Sequence, residues 1–291
     1  VDQVQGKERR VGKHGGGNSP PLMKKITLLI ISDLHAGSTV GLCAPKFQLP
    51  DGGTYSLSHA QQWLYQNWND LGQKAIKAAK GGKFYFVSNG DLIDGKVKQS
   101  VQTVTDSMVA QREIAAELLD PLVQQADKFF VIRGTEAHVG GIAQHEEGIA
   151  KDFGAEKSES GTYSHWQLLA DFGGVLFDFA HHVGGGGRPW TSGGNAVRLA
   201  AETVMDYAGG RIPQLVFRSH VHKYADSFTN VAQTRAIITP AWQLRTAYGY
   251  RIAARPADVG GVIVTIEAGR ADVNVVLFKP ERPTIWHAQK E

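Results

Sequence analysis

Blocks of apolar residues recur along this chain, and their period changes from block to block. KITLLIIS (25–32) is a continuous apolar run of the length expected for a strand buried on both faces. Residues 58–80 switch to a helical period: Leu64, Trp68, Leu71, Ala75 and Ala78 fall at steps of four, three, four and three. Ser58 is placed to cap that helix. KFYFVS (83–88) predicts a second buried strand. Asp106 to Ala126 predicts a helix with Ile114, Leu118 and Leu122 on one face and a bend at Pro121, and KFFVI (128–132) a third strand. This β-α-β-α-β order predicts an α/β sheet with right-handed crossovers.

The second half is richer in strands. TYSHWQLLA (162–170) and VLFDFA (175–180) are expected to pair around the turn DFGG. A helix is expected at 194–208 with Val197, Ala200 and Val204 inward, then a strand at QLVFRS (214–219). Segments 225–230, 234–239, 261–267 and 272–278 predict further strands, and no internal repeat is visible. Residues 1–22 are polar, glycine-rich and end in Pro-Pro, so a disordered tail or leader is expected there. Residues 23–291 are then expected to form a single domain with two sheets. The stretch 241–253, AWQLRTAYGYRIA, is expected to pack, though its arginines and aromatics could also line a groove.

The composition, 42% hydrophobic and 20% charged over 291 residues, is that of a globular chain. The net charge is +3, and four basic against two acidic residues in 1–22 leave +1 for the rest. That balance does not point to a nucleic-acid or membrane surface. The one cysteine, Cys43, excludes an intrachain disulfide and any zinc site built from several thiolates. A metal would have to use His, Asp, Glu or Asn. With no apolar run near membrane-spanning length and no signal pattern, a soluble cytoplasmic protein without a membrane partner is expected.

The strand ends change this plain picture. After the first strand comes DLHAG, with Asp33 and His35; after the second, NGDLIDG, with Asp91 and Asp94. After the third comes RGTEAH, with Thr135, Glu136 and His138. VLFDFA is followed by His181-His182 and QLVFRS by His220-Val221-His222. In open α/β sheets function gathers outside the carboxyl ends of the strands. The i, i+2 pairs Asp33/His35 and His220/His222 would share a face if the chain there is extended. Carboxylates and imidazoles without thiolates suit divalent metals such as Mn²⁺, Fe or Zn²⁺, and there are enough groups for two ions.

In these motifs the chain resembles the calcineurin-like metallophosphoesterases. The match runs from residue 26 to about 225: Asp33-Leu-His35, Gly90-Asp91-Leu-Ile-Asp94, Gly134-Thr135-Glu136-Ala137-His138, His181-His182 and Ser219-His220-Val221-His222. The resemblance implies a four-layer α/β/β/α sandwich of two mixed sheets flanked by helices. It implies two divalent ions, Mn²⁺ first with Fe or Zn²⁺ as the other candidates. Asp33, His35 and His222 would hold the first ion, Asp91 would bridge, and His181 and His220 would hold the second, His181 being preferred to His182. Asp94 would orient a catalytic histidine.

Two departures stand out. Ser219 replaces the family's Gly, and Gly-Thr-Glu-Ala-His replaces Gly-Asn-His, so Thr135 would stand in for Asn and His138 would be the general acid or itself a ligand. The implied activity is phosphate-ester hydrolysis, a phosphodiesterase more than a protein phosphatase because Gly95-Lys96 follows Asp94 where that branch carries Arg-Gly. A hydroxide generated between two ions ~3.5–4 Å apart would attack, the bound water's pKa falling from ~15.7 towards ~7. The substrate would be a phosphate-ester small molecule or nucleic acid, with Arg133, Arg188, Arg218 and Lys223 available for phosphate oxygens. The rival is a non-catalytic metal- or partner-binding scaffold of the same fold. The glycine run in HHVGGGGRPW admits either close backbone approach to a substrate or a loose loop. Plain structural roles are expected for His59, His145, His165, His287, Glu136, Asp51 and Asp70, and core packing for the helical tryptophans.

Overall fold

Strand β1 (Ile26–Ile31) lies inside a six-stranded sheet and sends its side chains alternately to two cores. Leu28 and Ile30 enter one core, Leu29 and Ile31 the other, which is why the run is apolar throughout. The computed structural model describes residues 24–96, 100–183, 192–228, 231, 233–251 and 255–280. The expected tail 1–22, the glycine run with Arg188, the end of 241–253 and His287 lie outside the described residues.

After β1 come the short strands β2 (Phe47–Gln48) and β3 (Thr54–Tyr55), helix α1 (His59–Ala79), β4 (Lys83–Ser88), α2 (Met108–Val123) and β5 (Lys128–Ile132). Ser58 caps α1 in a reciprocal box with Gln61. Pro121 falls in the last turn of α2, where the helix ends two residues later. Then follow α3 (Glu136–Val139), α4 (Gln144–Asp152), β6 (Ser164–His165), β7 (Gln167–Phe172), β8 (Val175–Ala180) and α5 (Ser192–Asp206). The chain continues with β9 (Leu215–Arg218), β10 (Ala225–Asp226), β11 (Arg235–Ile238), α6 (Ala247–Arg251), β12 (Val259–Glu267) and β13 (Arg270–Phe278).

The first sheet has the order β13-β12-β1-β4-β5-β6, parallel from β1 to β6 and antiparallel at β1-β12-β13. The second has the order β10-β11-β9-β8-β7, also mixed. The two sheets face each other across one apolar core. Leu28, Ile30, Val87 and Phe130 of the first meet Phe177, Phe179, Phe217 and Ile237 of the second. Helices α1 and α2 cover the outer face of the first sheet, with Leu64, Trp68 and Ile114 against Leu29 and Phe86. Helix α5 covers the second through Leu199 and Ala200 on Val216 and Ala236. This is the expected four-layer α/β/β/α sandwich.

Two expectations change. Val197 faces outward at 40% exposure, while Ala200 is buried as expected, and the inner stripe of α5 is Ala196, Leu199, Ala200 and Thr203. That stripe keeps helical spacing while its small residues let the helix sit close to the sheet. The segment 162–170 is split: β6 pairs with β5 in the first sheet and β7 with β8 in the second, with the exposed Trp166 at the changeover. β12 and β13 return to the first sheet, and only β10 and β11 extend the second. In 241–251, Trp242 is buried against Trp68, while Tyr248 and Tyr250 are exposed. The short strands β2 and β3 and helices α3, α4 and α6 had no counterpart in the sequence pattern.

Phe177 is fully buried between Phe179, Phe217 and Phe172. Phe177→Ala is expected to lower the unfolding free energy by about 3–5 kcal/mol, read from urea denaturation, because the cavity cannot close between two sheets.

Candidate metal centre

The carboxyl ends of β1, β4, β5, β8 and β9 converge at one edge of the sandwich. Backbone bonds knit them: Asp33 N–H donates to Gly90 O, His35 N–H to Asp91 O, and Ser219 N–H to His181 O. Trp242 N–H donates to Asp33 O, which brings the chain before β12 under the same cluster.

The side chains converge for a reason other than the one expected. Asp33 (φ 53°), His35 (φ 48°), Asp91 (φ 57°), His220 (φ 75°) and His222 (φ 54°) are all left-handed, not extended. Each such non-glycine residue costs on the order of 1–3 kcal/mol and persists only where its surroundings impose it. Half of the ten left-handed non-glycine residues among the described ones are therefore in this cluster. Close approach also demands glycine here. A Cβ on Gly90 would stand 2.4 Å from His181 Nδ1, and one on Gly134 would stand 2.2 Å from Asp91 Oδ1.

Asp33, His35 and His222 form one group. Asp33 Oδ1 lies 3.2 Å from His222 Nε2 and 3.9 Å from His35 Nε2, and the two Nε2 atoms are 3.1 Å apart. His35 Nδ1 donates to Asp94 Oδ1 at 3.2 Å, which leaves its Nε2 lone pair facing the group. Gln243 donates to the same Asp94 oxygen at 2.9 Å. The carboxylate of Asp94 thus orients His35. Its backbone carbonyl is what accepts from His138 Nδ1, at 2.6 Å. His138 Nε2 is left unclaimed by that bond, and the ring stands edge-on to His35 with centroids 4.5 Å apart.

Asp91 and His181 form the second group. His181 Nε2 is 3.0 Å from Asp91 Oδ2, and its Nδ1 donates to Asn89 O at 2.7 Å. Asp91 also accepts from Thr135 twice, from the backbone N–H at 2.6 Å and from the hydroxyl at 3.1 Å. Thr135 Oγ lies 2.9 Å from His220 Nδ1 and 3.3 Å from His182 Nε2.

Charge follows from burial and partners. Burial works to raise the Asp33 carboxyl, but His222 and His181 hold it at about 2. Burial likewise opposes ionisation of Asp91, and His181 keeps it well below the usual carboxylate range. Burial pulls His181 down, yet Asp91 and then Asp33 push it up to about 10. Burial lowers His35, and burial with His181 and His220 lowers His182.

These residues fit a divalent ion. Asp33 Oδ1 is buried and makes no well-aligned hydrogen bond, with His222 Nε2 standing 3.2 Å away. Ligand atoms of Asp33/His35/His222, Asp33/Asp91/His181, His35/Asp91/His138 and His181/His182/His220 each lie within 4.8 Å of one another. Carboxylate oxygens and imidazole nitrogens converging at this spacing are the donor set of a divalent cation.

Other expectations fare differently. Of the four cations expected to meet phosphate, the three among the described residues are taken. Arg218 is paired with Asp178 at 3.0 Å, Lys223 with Asp258 at 2.8 Å, and Arg133 with Ser164 and Glu147 while stacking on Trp166. Ser219 is accounted for: its hydroxyl links Asn89 (2.6 Å) to Thr239 (2.8 Å), which reaches Ser32 (2.7 Å), all buried.

Glu146 escaped the sequence reading. It is fully buried on α4 and accepts from Leu92 N–H (3.1 Å) and Gly134 N–H (2.5 Å), holding together the loops that carry Asp91 and Thr135. Burial, then Asp91, pushes its carboxyl up to about 8. The available signal was its place on the same helical face as Ile149 and Ala150.

No family model matches this chain, and no curated protein matches it. Among solved structures it is similar to Vps29 of Chaetomium thermophilum, with TM-score 0.40 and 10% identity over 88% of this chain and 96% of that one. It is also similar to the sulfate thiohydrolase SoxB of Thermus thermophilus, solved with glycerol, with TM-score 0.39 and 13% identity over 90% of this chain. The chain spans 58% of that SoxB chain. Similarity of this depth carries nothing on activity. Among the described residues, no helix is long and apolar enough to cross a membrane.

His181 is an imidazolium in the metal-free protein, and only the neutral ring can ligate. A metal arriving there must displace that proton. Apparent affinity is expected to rise about tenfold per pH unit between pH 6.5 and 8.5, measured by competition with a chromophoric chelator. A plateau at the ordinary histidine pKa would contradict the pairing.

Proposed function

We propose that this protein is a metal-dependent phosphoesterase acting on phosphodiesters. The observation that supports it most is the gathering of two buried carboxylates held ionised and six histidines at five strand ends, their ligand atoms within 4.8 Å of one another in groups of three. In this proposal Asp33, His35 and His222 hold one ion, His181 and His220 hold a second, and Asp91 serves both. Ions bound there supply Lewis acidity and an acidified water.

The chain's own residues do the rest. Asp94 and Asn89 O fix the ring orientation of His35 and His181, so that their Nε2 atoms point inward. Thr135 fixes the Asp91 carboxylate through two donors. His138, anchored by Asp94 O, presents its Nε2 as the proton donor to the departing alkoxide. A diester carries one negative charge and a monoester up to two. Among the described residues, Arg133, Arg218 and Lys223 are each held by a carboxylate, and this supports the singly charged substrate.

The test is hydrolysis by EDTA-stripped protein resupplied with Mn²⁺. Bis-p-nitrophenyl phosphate is expected to turn over faster than p-nitrophenyl phosphate, and Asp91→Asn to abolish both. His138→Ala is expected to lower kcat about 10²–10⁴-fold on a diester with an alkyl leaving group. It should have less effect on p-nitrophenyl esters, whose leaving group needs no proton. No turnover by metal-loaded protein would favour a non-catalytic scaffold.

A further inference from the structure

The second metal set lacks an amide at Thr135 and has a spare histidine beside it. We propose that His182 is a ligand of the second ion, and that the resulting three-histidine, one-carboxylate set selects Zn²⁺ or Fe²⁺ over Mn²⁺. This rests on the metal-centre proposal above and says which residues and which ion complete it.

His181, His182 and His220 form a nearly equilateral triangle of rings, with centroids 5.0, 5.4 and 5.0 Å apart. Their ligand nitrogens lie within 4.8 Å of one another. His182 Nε2 and His220 Nδ1 both approach one point, the Thr135 hydroxyl, at 3.3 and 2.9 Å. Asp91 Oδ2 lies behind that point, 3.0 Å from His181 Nε2 and 4.0 Å from His220 Nδ1. Three imidazoles and one carboxylate thus surround the same small volume.

Thr135 is the weaker candidate. Its proton goes to Asp91 Oδ2, and a neutral hydroxyl oxygen competes poorly with an imidazole nitrogen for a borderline-soft cation. Its service is to hold the Asp91 carboxylate, which both its donors do. The adjacent histidines also acquire distinct tasks. His181 is buried and pinned to Asn89 O, while His182 is exposed and closes the set from the solvent side.

The difference in donors between the two sets predicts a difference in preference. The first set offers Asp33 and Asp91 with His35 and His222. The second offers Asp91 with three imidazoles. Imidazole-rich sets of four suit Zn²⁺ and Fe²⁺, whereas Mn²⁺ favours oxygen donors.

The test is metal content by mass spectrometry, with the visible spectrum of a Co²⁺-loaded sample, on the full chain stripped with EDTA, reloaded and desalted. Wild type is expected to retain two Zn²⁺ per chain, His182→Ala one, and Thr135→Val two. Under equimolar Zn²⁺ and Mn²⁺, at least one wild-type site should hold Zn²⁺. The Co²⁺ spectrum of wild type should show an intense four-coordinate band that His182→Ala loses. Circular dichroism checks that the variants fold, which the exposure of His182 favours. Two Zn²⁺ retained by His182→Ala would overturn the inference and leave the metal centre standing. No ion retained by wild type would overturn the metal centre itself.

Discussion

The Asp91 carboxylate is the constraint around which the site is arranged. It leaves the end of β4 in the first sheet, receives both donors of Thr135 from the β5 loop, and meets His181 from β8 in the second sheet. Three strands in two sheets are therefore held in register at one edge by a single side chain. Burying that charge is costly, and removing one partner of such a pair typically destabilises by about 3–5 kcal/mol. The arrangement persists because His181 and Thr135 together satisfy it. The same electrostatic match favours a proton on His181, which a cation binding there would have to replace.

Around this carboxylate the backbone gives up favourable geometry. The left-handed turns at Asp33, His35, Asp91, His220 and His222 are tolerated because the strands behind them are locked by two-sided apolar packing. Glu146 and the Asn89-Ser219-Thr239-Ser32 chain secure the loops from behind with buried hydrogen bonds. Rigidity in the aromatic core of Phe177, Phe179 and Phe217 is thus what holds these left-handed turns in place.

The sheets and most of the strand ends were legible in the sequence because burial on both faces writes an uninterrupted apolar run, as in KITLLIIS and KFFVI. The candidate site was legible where the run breaks into Asp or His. What pattern could not carry was tertiary. The return of β12 and β13 to the first sheet depends on pairing partners far away in sequence, and the same holds for the split at Trp166. The i, i+2 pairs were expected to converge by strand alternation, yet they converge through left-handed turns that no hydropathy pattern encodes. Glu146 and Gln243 look like surface residues in sequence and become buried only because the loops they bind fold over them. The cations beside the motifs looked free for phosphate, and their carboxylate partners, Asp178 and Asp258, lie 40 and 35 residues away.

A crystal of the metal-loaded protein, with anomalous scattering recorded at the Mn and Zn edges, tests the central claim most directly. Two peaks about 3.5–4 Å apart on either side of the Asp91 carboxylate are predicted. No peak at Asp91, with ions bound elsewhere or not at all, would contradict it.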